Sequence, residues 1–216
     1  MRFLHTSDLH GHWKDVLRFS NFDVWVDTGD FFPNKTRGTP EERRFQPRWF
    51  ANKRVGERLA EWLDGRPLIS VPGNHDYADL AKLMREAGAR AYQVTAKGVE
   101  VDGVEYAGFR EVPFIFGEWA GETQQADFRA LVDDVFETPP DVLVTHAGPA
   151  SILSGGDQYH GGIDRLLTAL SYRPHSIRAH MFGHDHDFGS QTVDEMGVIF
   201  SNSATKPKVV SVPGLR

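Results

Sequence analysis

The stretch Leu68-Ile69-Ser70-Val71-Pro72-Gly73-Asn74-His75-Asp76 decides the fold. A short apolar run reads as a strand covered on both faces. Pro72 and Gly73 then force a tight turn, and three consecutive polar side chains follow. A strand that delivers reactive groups into the loop at its end is the habit of α/β proteins. The plainer reading of the turn is an Asx-turn capping a helix that runs from Asp79 onward.

The same arrangement recurs along the chain. Phe3 to Thr6, Asp23 to Asp27 and Asp141 to Thr145 read as further strands. Asp8-Leu9-His10, Gly29-Asp30 and Thr145-His146-Ala147 follow them, and Gly183-His184-Asp185-His186 repeats the pattern late in the sequence. In an extended segment His184 and His186 would face the same way and reach one centre. Taken singly, each motif has a bland reading as a surface turn or a satisfied histidine. Five in order, each placed after a strand, do not.

Helices separate these strands. Thr39-Pro40-Glu41-Glu42 has the form of a helix start, with Pro47 expected to break it. Val55, Leu59, Trp62 and Leu63 then hold helical spacing up to Gly65. Leu80 to Ala87, Phe128 to Phe136 and Ile163 to Leu170 give three more helices. Val99, Val101, Val104, Tyr106 and Phe109 alternate about Asp102-Gly103, a hairpin turn pair. Gln191 to Val212 reads as short strands. Helices outside two facing mixed sheets satisfy both patterns, so the expected class is a mixed α/β fold.

Composition narrows the chemistry. The 216 residues are 40% hydrophobic and 25% charged, ordinary for a globular chain. One domain over 1–216 is the expectation. There is no cysteine, so any metal is held by His, Asp, Glu or Asn. No apolar run reaches the ~18 residues of a membrane span. With no apolar leader at Met1, the chain is expected to be cytoplasmic. The net charge of −6 argues against general nucleic-acid binding.

The series Asp8-x-His10, Gly29-Asp30, Gly73-Asn74-His75-Asp76, His146 and Gly183-His184-x-His186 resembles the calcineurin-like metallophosphoesterases. It runs through most of the chain. The resemblance implies an αββα sandwich with a binuclear site at one edge. It implies that Asp8, His10 and His186 hold one divalent ion, that Asn74, His146 and His184 hold the other, and that Asp30 bridges them. His75 would face the leaving group as general acid, oriented by Asp76. Mn, Fe, Zn and Ni all suit such mixed nitrogen and oxygen ligands. Two ions ~3.5–4 Å apart can clamp a phosphoryl group in line and supply hydroxide at neutral pH.

Further residues are weaker candidates. His12, Arg110 and His160 are possible substrate contacts, and Asp185 and Asp187 possible partners of the ligand imidazoles. His160 lies in the loop Gly155 to Gly162. His5, His175 and His180 read as structural. Arg37, Arg43, Arg44, Arg48, Lys53, Arg54 and Arg58 surround Phe45, Trp49 and Phe50. That stretch suits a nucleotide or a single strand by charge and stacking. Glu41, Glu42 and Glu57 favour instead a helix with a solvated basic face and buried aromatics.

The second motif runs Gly29-Asp30-Phe31-Phe32-Pro33-Asn34, and the third ends in Asp76. The protein Ser/Thr phosphatases of the family carry GDxxDRG and GNHE, so that activity is not expected. The chain also leaves little room for the capping domain of the family's double-strand-break nucleases. The expected substrate is a small phosphodiester or a nucleotide. The alternatives are a phosphomonoesterase and a non-catalytic scaffold on the same fold.

Overall fold

The computed structural model describes residues 1–35, 40–155 and 160–215. Strands β1 (Arg2–Thr6), β2 (Val24–Asp27), β3 (Leu68–Ser70) and β4 (Ala91–Gln93) follow one another, then β5 (Val99–Val101) and β6 (Val104–Phe109) as a hairpin. The short β7 (Val112–Pro113) and β8 (Glu122–Thr123) pair apart from the rest. After them come β9 (Val142–Ala147), β10 (Ala179–Gly183), β11 (Gln191–Glu195), β12 (Val198–Asn202) and β13 (Lys208–Ser211). The helices are α1 (Pro40–Asn52), α2 (Val55–Leu63), α3 (Leu80–Glu86), α4 (Phe128–Glu137) and α5 (Asp164–Tyr172).

Among the described residues one sheet has the order β13-β1-β2-β3-β4 and the other β11-β12-β10-β9-β6-β5. Both are mixed. In the first, β1 to β4 run parallel and β13 is antiparallel to β1. In the second, β6, β9, β10 and β12 run parallel, with antiparallel β5 and β11 at the edges.

Alternation along each strand sorts the side chains into three cores. Phe3, Val24, Val26 and Ile69 from one sheet meet Val142, Val144, Ala179 and Met181 from the other. Leu4, Trp25 and Leu68 point the opposite way, onto Val55, Leu59, Leu63, Leu80 and Met84 of α2 and α3. Leu143, Phe182 and Phe200 pack on Phe128, Val132, Leu166 and Ala169 of α4 and α5. Helices thus cover both outer faces, giving the four-layer αββα arrangement. The continuous apolar runs follow, because no strand of the centre has a wet face.

The sequence placed most elements within a few residues. Asp102 and Gly103 both take positive φ, 53° and 80°, as the hairpin requires. Asp79 caps α3 through Lys82 N at 2.8 Å. Pro47 does not break its helix: α1 runs through it to Asn52. The break comes at Arg54, which takes φ 52° and lets α2 set off. A proline inside a helix forfeits one hydrogen bond; on this helix Phe50 is buried and Gln46 is bonded to the turn at His75, Tyr77 and Ala78. The expected Thr39 cap and Arg37 lie outside the described residues, as do 156–159 of the His160 loop.

Trp25 is fully buried and donates Nε1 to Thr6 Oγ1 at 2.8 Å. Trp25→Ala is expected to cost ~3–5 kcal/mol of unfolding free energy, read from denaturant titration.

Candidate metal centre

The strand ends of both sheets meet at one edge. Asp8 and His10 follow β1, Asp30 follows β2, and Asn74 and His75 follow β3. From the other sheet, His184 and His186 follow β10, while His146 lies inside the end of β9 rather than after it. The sheets are tied there. His184 N donates to Asp8 Oδ2 at 3.0 Å, and His146 Nδ1 lies 2.7 Å from the Thr28 carbonyl.

Asp30 is at the centre. Its Oδ1 accepts from His75 N at 2.8 Å. Its Oδ2 faces His146 Nε2 at 3.5 Å, His75 Nε2 at 3.8 Å and His10 Nε2 at 3.9 Å. Asp8 Oδ1 lies 3.3 Å from His186 Nε2. The donor atoms gather as two overlapping groups, Asp8 with His10 and His186, and Asp8 with Asp30 and His146. His184 and His186 do not act as the extended pair that their spacing suggests. His184 takes φ 67°, and the two rings part. His186 turns to Asp8, while the His184 ring centroid sits 5.1 Å from that of His146.

The backbone here is held in an uncommon form. Asp8, His10, Asp30 and His184 all have positive φ, between 43° and 67°. Such conformations cost energy and gather at functional sites. Gly183 permits close approach, since a Cβ there would strike Ser7 Oγ and the Asp8 carboxylate.

The donor set fits a hard or borderline cation: carboxylates, imidazoles and an amide oxygen, with no sulfur. Two atoms show the fit directly. His184 Nε2 is buried with no hydrogen-bond partner among the described residues. His146 Nδ1 donates to the Thr28 carbonyl, which leaves the Nε2 lone pair facing Asn74 Oδ1 at 3.0 Å and Asp30 Oδ2 at 3.5 Å. Three electron-rich atoms in one buried spot need a proton or a cation between them. Without a cation the proton stays. Burial works to lower the His146 pKa, but the Asp30 carboxylate and then Asp8 outweigh it and raise it to about 9. The two carboxyls answer in kind. Burial pushes both up, yet the neighbouring imidazoles, His186 and His146 for Asp8, and His146 and His75 for Asp30, hold them well below the usual range. Burial, reinforced by His146, takes His184 down to about 3.

Asp76 is placed differently from the expectation that it orients His75. Its side chain folds back into the turn. Its carboxylate accepts from the backbone N of Asp30 (2.7 Å), Gly73 (2.9 Å), Phe32 (3.1 Å) and Phe31 (3.3 Å). It therefore holds the Asp30 loop. Asn34 faces the imidazole instead, with Nδ2 2.8 Å from His75 Nδ1 and 3.4 Å from His10 Nδ1. The Trp119 ring covers His75 at a centroid distance of 4.0 Å.

The weaker candidates divide. His160 lines the cleft, its ring 5.2 Å from His184 and 5.7 Å from His186. His12 is exposed at the start of a short helical turn and does not line it. Arg110 donates to the carbonyls of Gly73 (2.7 Å) and Asp76 (2.9 Å), so it braces the turn rather than reaching the rim. Asp185 accepts from Gly155 N and Asp187 N, a loop-holding role. His5 and His180 are buried and bonded to Ser201, Thr28 and Thr145, as structural residues. His175 meets the Leu170 carbonyl. In the basic stretch Phe50 is buried and Trp49 packs on Phe31 and Phe32, the solvated-face reading. The cleft, about 220 Å³, is closed on its far side by Ile115, Phe116 and Trp119, which carry no sequence signature. Asn34 carried a signal, four positions past Asp30 in the same loop.

The chain matches the family model of the calcineurin-like phosphoesterases over residues 1–188. It belongs to that family. A calcineurin-like phosphoesterase is a metal-dependent phosphoester hydrolase, and the donor set above agrees. No curated protein matches the chain. Among solved structures it is similar to a 5'-nucleotidase precursor from Thermus thermophilus, at 17% identity and TM-score 0.40, covering 85% of this chain and 41% of that one. It is also similar to the calcineurin-like phosphoesterase YfkN from Bacillus subtilis, at 13% identity and TM-score 0.43, covering 95% and 82%. The chain thus spans less than half the length of that nucleotidase. Among the described residues no helix is long and apolar enough to cross a membrane.

A cation held by His146 would need the neutral ring, so its binding would expel the proton that Asp30 retains. With the metal-free pKa raised to about 9, binding is expected to release protons at neutral pH and to tighten as pH rises, levelling off above that value. Calorimetry in buffers of different ionisation enthalpy measures the release.

Proposed function

We propose that the cleft hydrolyses a phosphate ester, a nucleotide or small phosphodiester first, with two divalent ions. Asp8, His10 and His186 would hold one, Asn74, His146 and His184 the other, and Asp30 both. What supports this is the gathering of Asp8, His10, Asn74, His146, His184 and His186, from two sheets, about the buried Asp30 carboxylate, with His184 Nε2 buried and unpartnered among the described residues.

When bound, the ions supply Lewis acidity toward the phosphoryl oxygens and lower the pKa of water from ~15.7 toward ~7. The chain does the rest by placement. Asn34 Nδ2 lies 2.8 Å from His75 Nδ1 and holds the ring by that edge. Nε2 is the nitrogen turned toward Asp30, at 3.8 Å. From there it donates to the ester oxygen as it departs, the general-acid role. Trp119 covers one side of the ring and keeps it from turning away. Burial lowers the His75 pKa and the Asp30 carboxylate works against it; the ring gives up this proton only from its imidazolium form, so the acid step is expected to weaken as pH rises. Asp76 keeps the Asp30 loop closed over the turn that carries His75.

Metal-reconstituted protein is expected to release product from chromogenic phosphate esters and to stop when a chelator is added. Full metal loading with no turnover on mono- or diesters would sink the reading. Asp30→Ala is expected to lose both ions, measured as metal per chain by elemental analysis. His75→Ala should keep them and lose ~10²-fold or more in kcat. That loss should deepen as the leaving group becomes more basic; a uniform loss across leaving groups would refute the acid role.

A further inference from the structure

Beside the metal centre lies a second hollow, of about 450 Å³. Gly11, Trp13 and Lys14 line it from the chain after β1, and Trp49, Lys53 and Arg58 from α1, α2 and the bend between them. Gly11 directly follows His10, so this groove opens one Cα step, ~3.8 Å, from a donor of the centre. The chain turns sharply there. Gly11 takes φ 87°, its N donates to the Phe31 carbonyl at 2.8 Å, and a Cβ on it would meet Pro33 at 3.0 Å.

The charge of the groove runs against that of the molecule. The chain carries −6 overall, yet Lys14, Lys53, Arg54 and Arg58 line this hollow, and no carboxylate lines it among the described residues. Arg54 is occupied by Glu57. Lys14, Lys53 and Arg58 are exposed and have no carboxylate partner among the described residues. Lys14 Nζ and the Arg58 guanidinium each lie 5.9 Å from the centroid of the same Trp13 ring. Two cations drawn to one ring repel each other, and an anion shared between them relieves that. Trp13 is buried and Trp49 packs on Phe31 and Phe32, so the groove meets a ligand by charge more than by stacking.

A single phosphate in the cleft needs only the metal donors. Cations outside the cleft gain a role when the substrate carries further phosphates on either side of the one cleaved. A strand that brings one phosphate into a cleft of about 220 Å³ must bend freely, which a stiff duplex does not.

We propose that the groove of Lys14, Lys53 and Arg58 holds the flanking phosphates of a single-stranded oligonucleotide whose scissile phosphate sits in the metal cleft. The proposal rests on the phosphoester reading given above and takes its diester arm. Recognition through phosphates carries no base preference.

The metal-loaded full chain is expected to cleave an oligothymidylate, with KM rising as salt is added. The triple variant Lys14→Gln, Lys53→Gln, Arg58→Gln should raise that KM by roughly tenfold or more, and should lower the slope of log KM against log salt by about 2, from ~0.7 per contact. A small chromogenic diester, too short to reach the groove, should be turned over equally by both proteins. An unchanged salt slope in the variant, or a loss shared with the small diester, would overturn the proposal. Equilibrium binding of a fluorescent phosphorothioate oligothymidylate, by anisotropy on the metal-loaded protein, separates the two readings. Binding that depends on the three cations, without turnover of any ester, would sink the hydrolase and keep the groove. No binding, or binding indifferent to the three cations, would sink the groove whatever the turnover. A duplex bound as tightly as the strand would overturn the single strand as occupant.

Discussion

A carboxylate out of water must be met by positive charge or by hydrogen-bond donors, and Asp30 is met by both. Its Oδ1 takes the backbone N–H of His75, and its Oδ2 looks onto three imidazoles. His10 and His75 come from the sheet that carries Asp30, and His146 from the other. The parallel run of β1, β2 and β3 brings their ends to one edge, and the facing strands β9 and β10 end against them. The sandwich can thus surround one anion with groups from both halves.

The turn 73–76 shows how much support such a centre requires. Gln46 of α1 accepts from Tyr77 N and Ala78 N through Oε1 and gives Nε2 to the His75 carbonyl. Arg110 fixes the Gly73 and Asp76 carbonyls from the opposite side. Asp76 binds four amides inward, and burial beside Asp30 raises its pKa to about 6. None of these three groups faces the cleft. They spend their hydrogen bonds on keeping Asn74 and His75 in place, the outer ring of contacts that metal and catalytic groups need.

What the sequence disclosed, and what it hid, has a physical pattern. The strands were legible because burial on both faces writes a continuous apolar run, as in Val142-Leu143-Val144. The clustered His and Asp residues were legible because a hard-cation centre without cysteine has few other donors. Contacts made across the fold left no local trace. Gln46 reads as an ordinary helix residue, Arg110 as a rim cation, and Trp119 as one aromatic among many, until the chain closes. Asp76 misled for a local reason. It neighbours His75, but the turn points the two side chains apart. The spacing of His184 and His186 misled because it presumes an extended chain, and φ at His184 is positive.

Four residues of the centre, Asp8, His10, Asp30 and His184, hold left-handed backbone that any glycine would adopt with less strain. Each such residue stores on the order of 1–3 kcal/mol. That strain is held in place by the contacts the same residues make, the Asp30 carboxylate on His75 N and the Asp8 carboxylate on His184 N among them. Activity and thermal robustness pull against each other at these positions. The rigidity of this edge therefore comes from groups set against their own backbone preference, so loosening any one of those contacts lets a donor swing out of line.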